Sequence, residues 1–193
     1  MSLQIASVAG AICTFAGRKK IMAGLNGRGD MFIKIEGARS GVFKGESRDP
    51  AHLDEIELIG WSWGMEGNAS ATVSAGGRSA GANQVSVREL EIVKPVDAAT
   101  TGLMSALRSN EVLKTATLSV RKAGGASPVE YLKIILEKAR VRSVDLLTGA
   151  GGAEEQIAER IRISFQKITV EYRPQQAQGS GGGTSSFTTE LEQ

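Results

Sequence analysis

The chain has one cysteine, Cys13, and one histidine, His52, among its 193 residues. An intrachain disulfide is therefore excluded, and a structural zinc site lacks the four good ligands it needs. No Asp-rich loop carries the ligand spacing of a Ca²⁺ or Mg²⁺ site, so no metal and no cofactor is expected. The formal net charge is only +2, and no Lys/Arg cluster is interleaved with aromatics, so nucleic acid is not an expected partner. No apolar run reaches the roughly 20 residues a spanning helix needs, and membrane insertion is not expected. Aromatics are scarce at 5%, whereas glycine is plentiful at 24, a composition that suits strands joined by many turns. The length allows one full hydrophobic core and falls short of two.

The first 30 residues stand apart. Ile5 to Gly17 is mildly apolar, but Arg18, Lys19 and Lys20 follow that run, whereas a signal peptide places its charge first. Residues 1–30 are thus read as an N-terminal extension of unassigned role, with Met22 and Met31 as alternative starts.

From Met31 the pattern is regular. Phe32, Ile33 and Ile35 mark a first strand over Met31 to Glu36, and a loop follows from Gly37 to Ala51. Asp54 to Met65 reads as one long strand whose apolar residues change parity, from Ile56 and Leu58 to Ile59, Trp61, Trp63 and Met65. A flat strand cannot change face, so a bulge or bend near Gly60 is expected. The same change recurs between Val85–Val87 and Leu90–Ile92, and between Ile161–Phe165 and Ile168–Tyr172. Long strands that change face once are what a coiled, closing sheet requires. The fold class read from this is mainly β: a closed or nearly closed barrel of two coiled antiparallel sheets. Tyr131 to Leu136 is apolar on both parities, as in a strand covered on both faces.

One flanking α-helix is expected. Asp97 is its candidate N-cap, Leu103, Ala106 and Leu107 form one face, Arg108 suits the C-terminal pole, and Asn110 can take the left-handed cap. Glu66 to Asn83 reads as a long polar loop, and residues 176–193 read as a flexible C-terminal tail.

Chemical motifs are weak. Thr148 to Glu154 imitates a dinucleotide loop, but Glu154 stands where the third glycine belongs and would repel pyrophosphate. His52 near Asp54 and Glu55 suggests a general base, yet no activated nucleophile accompanies it. His52 is therefore read as a surface or turn residue, and the chain as not an enzyme. Trp61-Ser62-Trp63-Gly64 is the most informative local feature. On a strand both indoles lie on one face, toward the core, and Ser62 points the other way.

In order and spacing, Met31-Phe32-Ile33-Lys34-Ile35, Lys44-Gly45-Glu46-Ser47, His52, Asp54 to Glu57 and Trp61-Ser62-Trp63-Gly64 resemble the opening of Hcp proteins of type VI secretion systems. The resemblance continues through Val85 to Asp97, Thr117 to Gly125, Tyr131-Leu132-Lys133 and Phe165 to Gln175, and so covers a domain over 31–175. It implies a subunit of hexameric rings that stack into a hollow tube carrying effector cargo. Its implied partners are further copies, a sheath, a VgrG-type spike, baseplate proteins and effectors. Its implied location is the bacterial cytoplasm before assembly and the exterior afterwards. The resemblance places Ser62 on the lumen, facing cargo, and Gly45, Glu46 and Ser47 in a loop that contacts a neighbouring subunit or ring. Two other readings stand beside it: a tube subunit of a phage-tail-like contractile particle, and a soluble non-catalytic ligand-binding β-domain.

Overall fold

The computed structural model describes residues 30–68, 84–122, 129–148, 157–174 and 183–191. The expectations for Cys13, for residues 1–29, for the polar loop over 69–83 and for the Gly-rich segment over 149–154 lie outside these.

Two antiparallel sheets share one long strand. The first sheet is built on β1 (Met31–Gly37), flanked by β2 (Gly41–Phe43) and β3 (Ile56–Glu57) on one side and by β8 (Leu113–Lys122) on the other. It continues through β9 (Val129–Leu147) to β11 (Lys167–Tyr172) and β12 (Ser185–Glu190). The second sheet runs β9, β10 (Ala158–Ser164), β7 (Leu90–Pro95), β4 (Gly60–Ser62). A separate hairpin pairs β5 (Met65–Asn68) with β6 (Gln84–Val87).

Strand β9 spans both sheets because it bends. Lys138 sits at φ 50, opposite the point where β8 skips a residue, and the register with β10 shifts again at Arg162/Ile163. Such irregularities raise the local twist and turn a strand round a corner. At the far corner the sheets are not joined by strand pairing. The two-residue link Leu58–Ile59 crosses instead, Leu58 donating its N–H to Met31 O at 2.9 Å and Ile59 donating to Val93 O at 2.8 Å. The barrel is nearly closed rather than closed.

The expected face switches are present, but their form differs. Asp54 to Met65 is not one bulged strand; it is β3, β4 and β5, each on a different partner. Likewise Phe165 and Gln166 separate β10 in the second sheet from β11 in the first. The chain changes sheets at each change of parity, so apolar side chains keep facing the space between them.

That space holds the core, with Ile33, Ile35, Leu118, Ile134 and Leu136 from one side and Leu90, Ile92, Ile161 and Ile163 from the other. Helix α1 (Thr100–Arg108) adds Leu103 and Ala106 to it. Asn110 takes the left-handed conformation (φ 49) after the helix, and Arg108 lies in the last turn. Asp97 is not the N-cap: that position is Ala99, and Asp97 Oδ1 accepts from Ala99 N at 2.9 Å while also binding a lysine. Glu111, after the helix, holds the β1–β2 turn by accepting the N–H groups of Arg39 and Ser40 and the Ser40 hydroxyl. The backbone N–H of Ser40 foremost keeps its carboxyl below the usual range. Gly41 makes that turn at φ +70, where a side chain is strained.

Two further expectations are corrected. The loop from Gly37 to Ala51 contains β2, and the tail over 176–193 contains β12, which pairs with β11 along its whole length. The Ser/Thr-rich composition of β12 hid a strand at a sheet edge, where half-exposed polar residues are tolerated.

Candidate functional site

Ser62 lies in a row that crosses the second sheet. The pairing aligns Ser62 with Glu91, Glu91 with Arg162 and Arg162 with Ser143. The neighbouring row, Trp61, Ile92, Ile161 and Val144, points into the core. Trp61 and Trp63 pack against the core but are half-buried, and Ser62 is exposed. The indoles thus flank the core rather than fill it, because β4 is the edge strand of its sheet. The exposed face around Ser62 is polar and ion-paired. Glu91 meets Arg160 Nε at 3.5 Å and Arg162 Nε at 3.7 Å, and Glu89 meets Arg142 Nε at 3.6 Å. These groups stay partly in water, where such pairs fix side-chain positions more than they stabilise the fold.

The loop from Lys44 to Glu55 covers the outer face of the first sheet. Gly45 N donates to Asp54 O at 2.8 Å, Ser47 N to Glu55 O at 3.1 Å, and Asp54 N to Ser47 O at 3.0 Å. Gly45 must be glycine, since a Cβ there would stand 2.4 Å from Glu55 O. Gly45 and Ser47 are buried within the subunit, and Glu46 is exposed with its Oε1 accepting from Ala98 N at 3.1 Å. The side chains this loop offers outward are Lys44, Glu46 and Arg48 in its first half and Pro50, Ala51, Leu53 and Asp54 in its second, Leu53 at 66% exposure.

Beneath the loop lies a polar cluster that the sequence reading missed. Arg121 donates to both oxygens of Asp49, at 3.0 and 2.6 Å, and to Asp30 at 3.0 Å. The Arg121 guanidinium holds the Asp49 carboxyl below its ordinary range, and Asp49 raises Arg121 in return. Arg121 also sits 4.9 Å from the centre of the Phe32 ring, and His52 stacks on the same ring at 4.3 Å. His52 is not a surface residue: it is 4% exposed, with Nδ1 2.8 Å from Glu55 and Nε2 3.2 Å from Glu130. Asp54, which the sequence placed near His52, pairs with Lys44 at 3.2 Å instead. Among the described residues no Ser, Thr or Cys side chain is hydrogen-bonded to the His52 ring, and its neighbours bind the loop to β1 and β9.

A second cluster is buried under the helix. Lys94 Nζ donates to Glu159 Oε1, to Asp97 Oδ1 at 2.6 Å and to Pro95 O at 2.8 Å, and Thr100 Oγ1 donates to Glu159 as well. A signal for it existed. Lys94 shares the parity of Leu90 and Ile92, and Glu159 that of Ile161 and Ile163, so both belong on the core face.

A family model described as "Type VI secretion system effector, Hcp" matches residues 32–172, from β1 to the end of β11. Over 154 residues the chain is 42% identical to Protein hcp1 of Pseudomonas aeruginosa, a match covering 80% of this chain and 89% of that one. The crystal structure of Hcp1 from Salmonella typhimurium is similar with a TM-score of 0.64 at 30% identity, over 84% of this chain and 94% of that one. That of a type VI secretion system effector from Yersinia pestis gives 0.63 at 29% identity, over 84% and 100%. With sequence, fold and family pattern in agreement, this chain belongs to the Hcp family of secreted type VI secretion proteins.

Proposed function

We propose that the chain is a structural tube subunit: six copies close into a ring, rings stack into a hollow tube, and effector proteins travel in the lumen against Ser62. The observation that carries this reading is the two-sidedness of the second sheet. One face packs on the core, and the other presents Ser62, Glu91 and Arg162 in one row. A sheet of this kind can wall a water-filled channel without exposing an apolar surface. The loop bearing Gly45, Glu46 and Ser47 then meets a neighbouring subunit or ring through its outward side chains, Glu46 among them. Sheath, VgrG-type spike and baseplate proteins are the partners, the location is the bacterial cytoplasm before assembly and the exterior afterwards, and the role is not catalytic.

Mass photometry of the full chain tests the assembly. A species near six times the 20.3 kDa subunit, hollow by negative stain, is expected. A monomer at every concentration would contradict the ring. Ser62→Gln should leave ring mass unchanged and weaken effector retention; intact rings with undiminished retention would remove Ser62 from the cargo surface.

A further inference from the structure

The first sheet extends beyond the second. Strands β11 and β12 attach to β9, and the second sheet departs from β9 with β10, so β11 and β12 continue the first sheet past the strand the two sheets share. Burial along the core-facing row records this. Ile33, Leu118 and Ile134 are buried, Val170 is half-buried, and Phe187 at the end is 44% exposed. Along β11 the same happens: Ile168 is buried, Val170 half-buried, and Tyr172 48% exposed. Val170 packs against the core at the root of an apolar overhang completed by Tyr172 and Phe187, which stay largely exposed among the described residues, and the outer edge of β12 has no strand beside it among them.

A second uncovered apolar surface lies at the opposite corner of the barrel. There the chain leaves the Leu58–Ile59 link, passes through β4 and continues into the β5–β6 hairpin. The hairpin strands pair only with each other among the described residues, an arrangement that is marginal in water without further packing. Ile59 is 53% exposed, Met65 41% and Val85 54%. Met65 pairs with Val87, and Gly67 with Val85, so Met65 and Val85 share one face of the hairpin.

Strands β1 and β8 separate the β3 edge from β9 in one sheet, and β7 and β10 separate β4 from β9 in the other. The overhang and the hairpin surface therefore lie on opposite sides of the subunit and cannot cover each other within one chain. Two different apolar patches, oppositely placed, are what a head-to-tail contact between identical copies requires, and repeated contacts of that kind close into a ring. We infer that the overhang of one copy receives the Met65–Val85 face of the next copy's hairpin, an inference that rests on the ring reading above. The overhang takes Phe187 from β12, which lies beyond the residues shared with the family model, 32–172. This chain thus supplies part of its contact from its own C-terminal segment.

Two variants of the full chain, Phe187→Asp and Val85→Asp, test the pairing by mass photometry, with far-UV circular dichroism and Tm confirming the fold. Each alone should lose the ring and run as a monomer. Mixed, they should form a dimer and nothing larger, because each retains the patch the other lacks. Should Phe187→Asp fail to fold, Phe187→Thr, matching Thr188 and Thr189 beside it, should raise the concentration at which rings dissociate by about tenfold or more. Single variants that assemble like the wild type, or a mixture that stays monomeric, would overturn the pairing while leaving the ring reading intact. A wild-type chain that never assembles would overturn both.

Discussion

Two clusters of charge stabilise different things in this β-protein. The Lys94–Asp97–Thr100–Glu159 cluster is closed to water and joins the start of the helix to β7 and β10. In the Arg121–Asp49–Asp30 cluster, with His52 and Glu55 beside it, the cation is buried but the carboxylates of Asp49 and Asp30 reach water, and it joins a surface loop to the first sheet. Both set carboxylates against a cation. The first should be inseparable from the fold, and the second should govern the order of a surface loop. Burial, rather than the residue types, makes the difference.

The largest effect should follow from Lys94→Met. It leaves Glu159 buried without its cation and should cost about 3–5 kcal/mol of unfolding free energy in denaturant titration. A loss below about 1 kcal/mol would show that water reaches the cluster. Arg121→Met should act locally: amide exchange at Gly45, Ser47 and Asp54 should quicken by about tenfold or more, with core strands nearly unchanged. Equal acceleration in the core would make the two clusters one unit.

Acid sharpens the contrast next. Asp49 and Glu111 are both held below their ordinary values, Asp49 by Arg121 and Glu111 by the Ser40 N–H. A depressed carboxyl contributes stability that is present above its unfolded pKa and is lost as pH falls through the folded value. Stability should therefore fall below the ordinary carboxylate range, and Glu111→Gln should flatten that acid limb while lowering stability at neutral pH. An unchanged slope would dissociate Glu111 from acid unfolding. Ser62→Gln should have the smallest effect on the fold, within about 0.5 kcal/mol by thermal unfolding, since the side chain touches no core residue.

Much of this was legible in sequence because parity is a strong signal. The reversals at Ile59, Leu90 and Ile168 were visible as changes of face. What parity cannot show is whether the partner strand changes too, so transfers between sheets were read as bulges. Only Tyr131 to Leu136 was recognised of β9, because its second half is polar enough to conceal a 19-residue strand. Of the surface or turn readings of His52, the turn holds, its N–H donating to Asp49 O at 3.1 Å, whereas its burial depends on Phe32 and Glu130, both distant in the chain. The opposed directions expected of Trp61 and Ser62 depend only on strand geometry. That the indoles are half-buried was not legible in sequence, since it depends on β4 being an edge.

An electron cryomicroscopy reconstruction of the assembled full-length chain tests the central claim most directly. The account predicts a six-fold ring whose inner wall is made by β4, β7 and β10, with Ser62, Glu91 and Arg162 bordering the hole. A ring walled by helix α1 or by the outer face of the first sheet would contradict it.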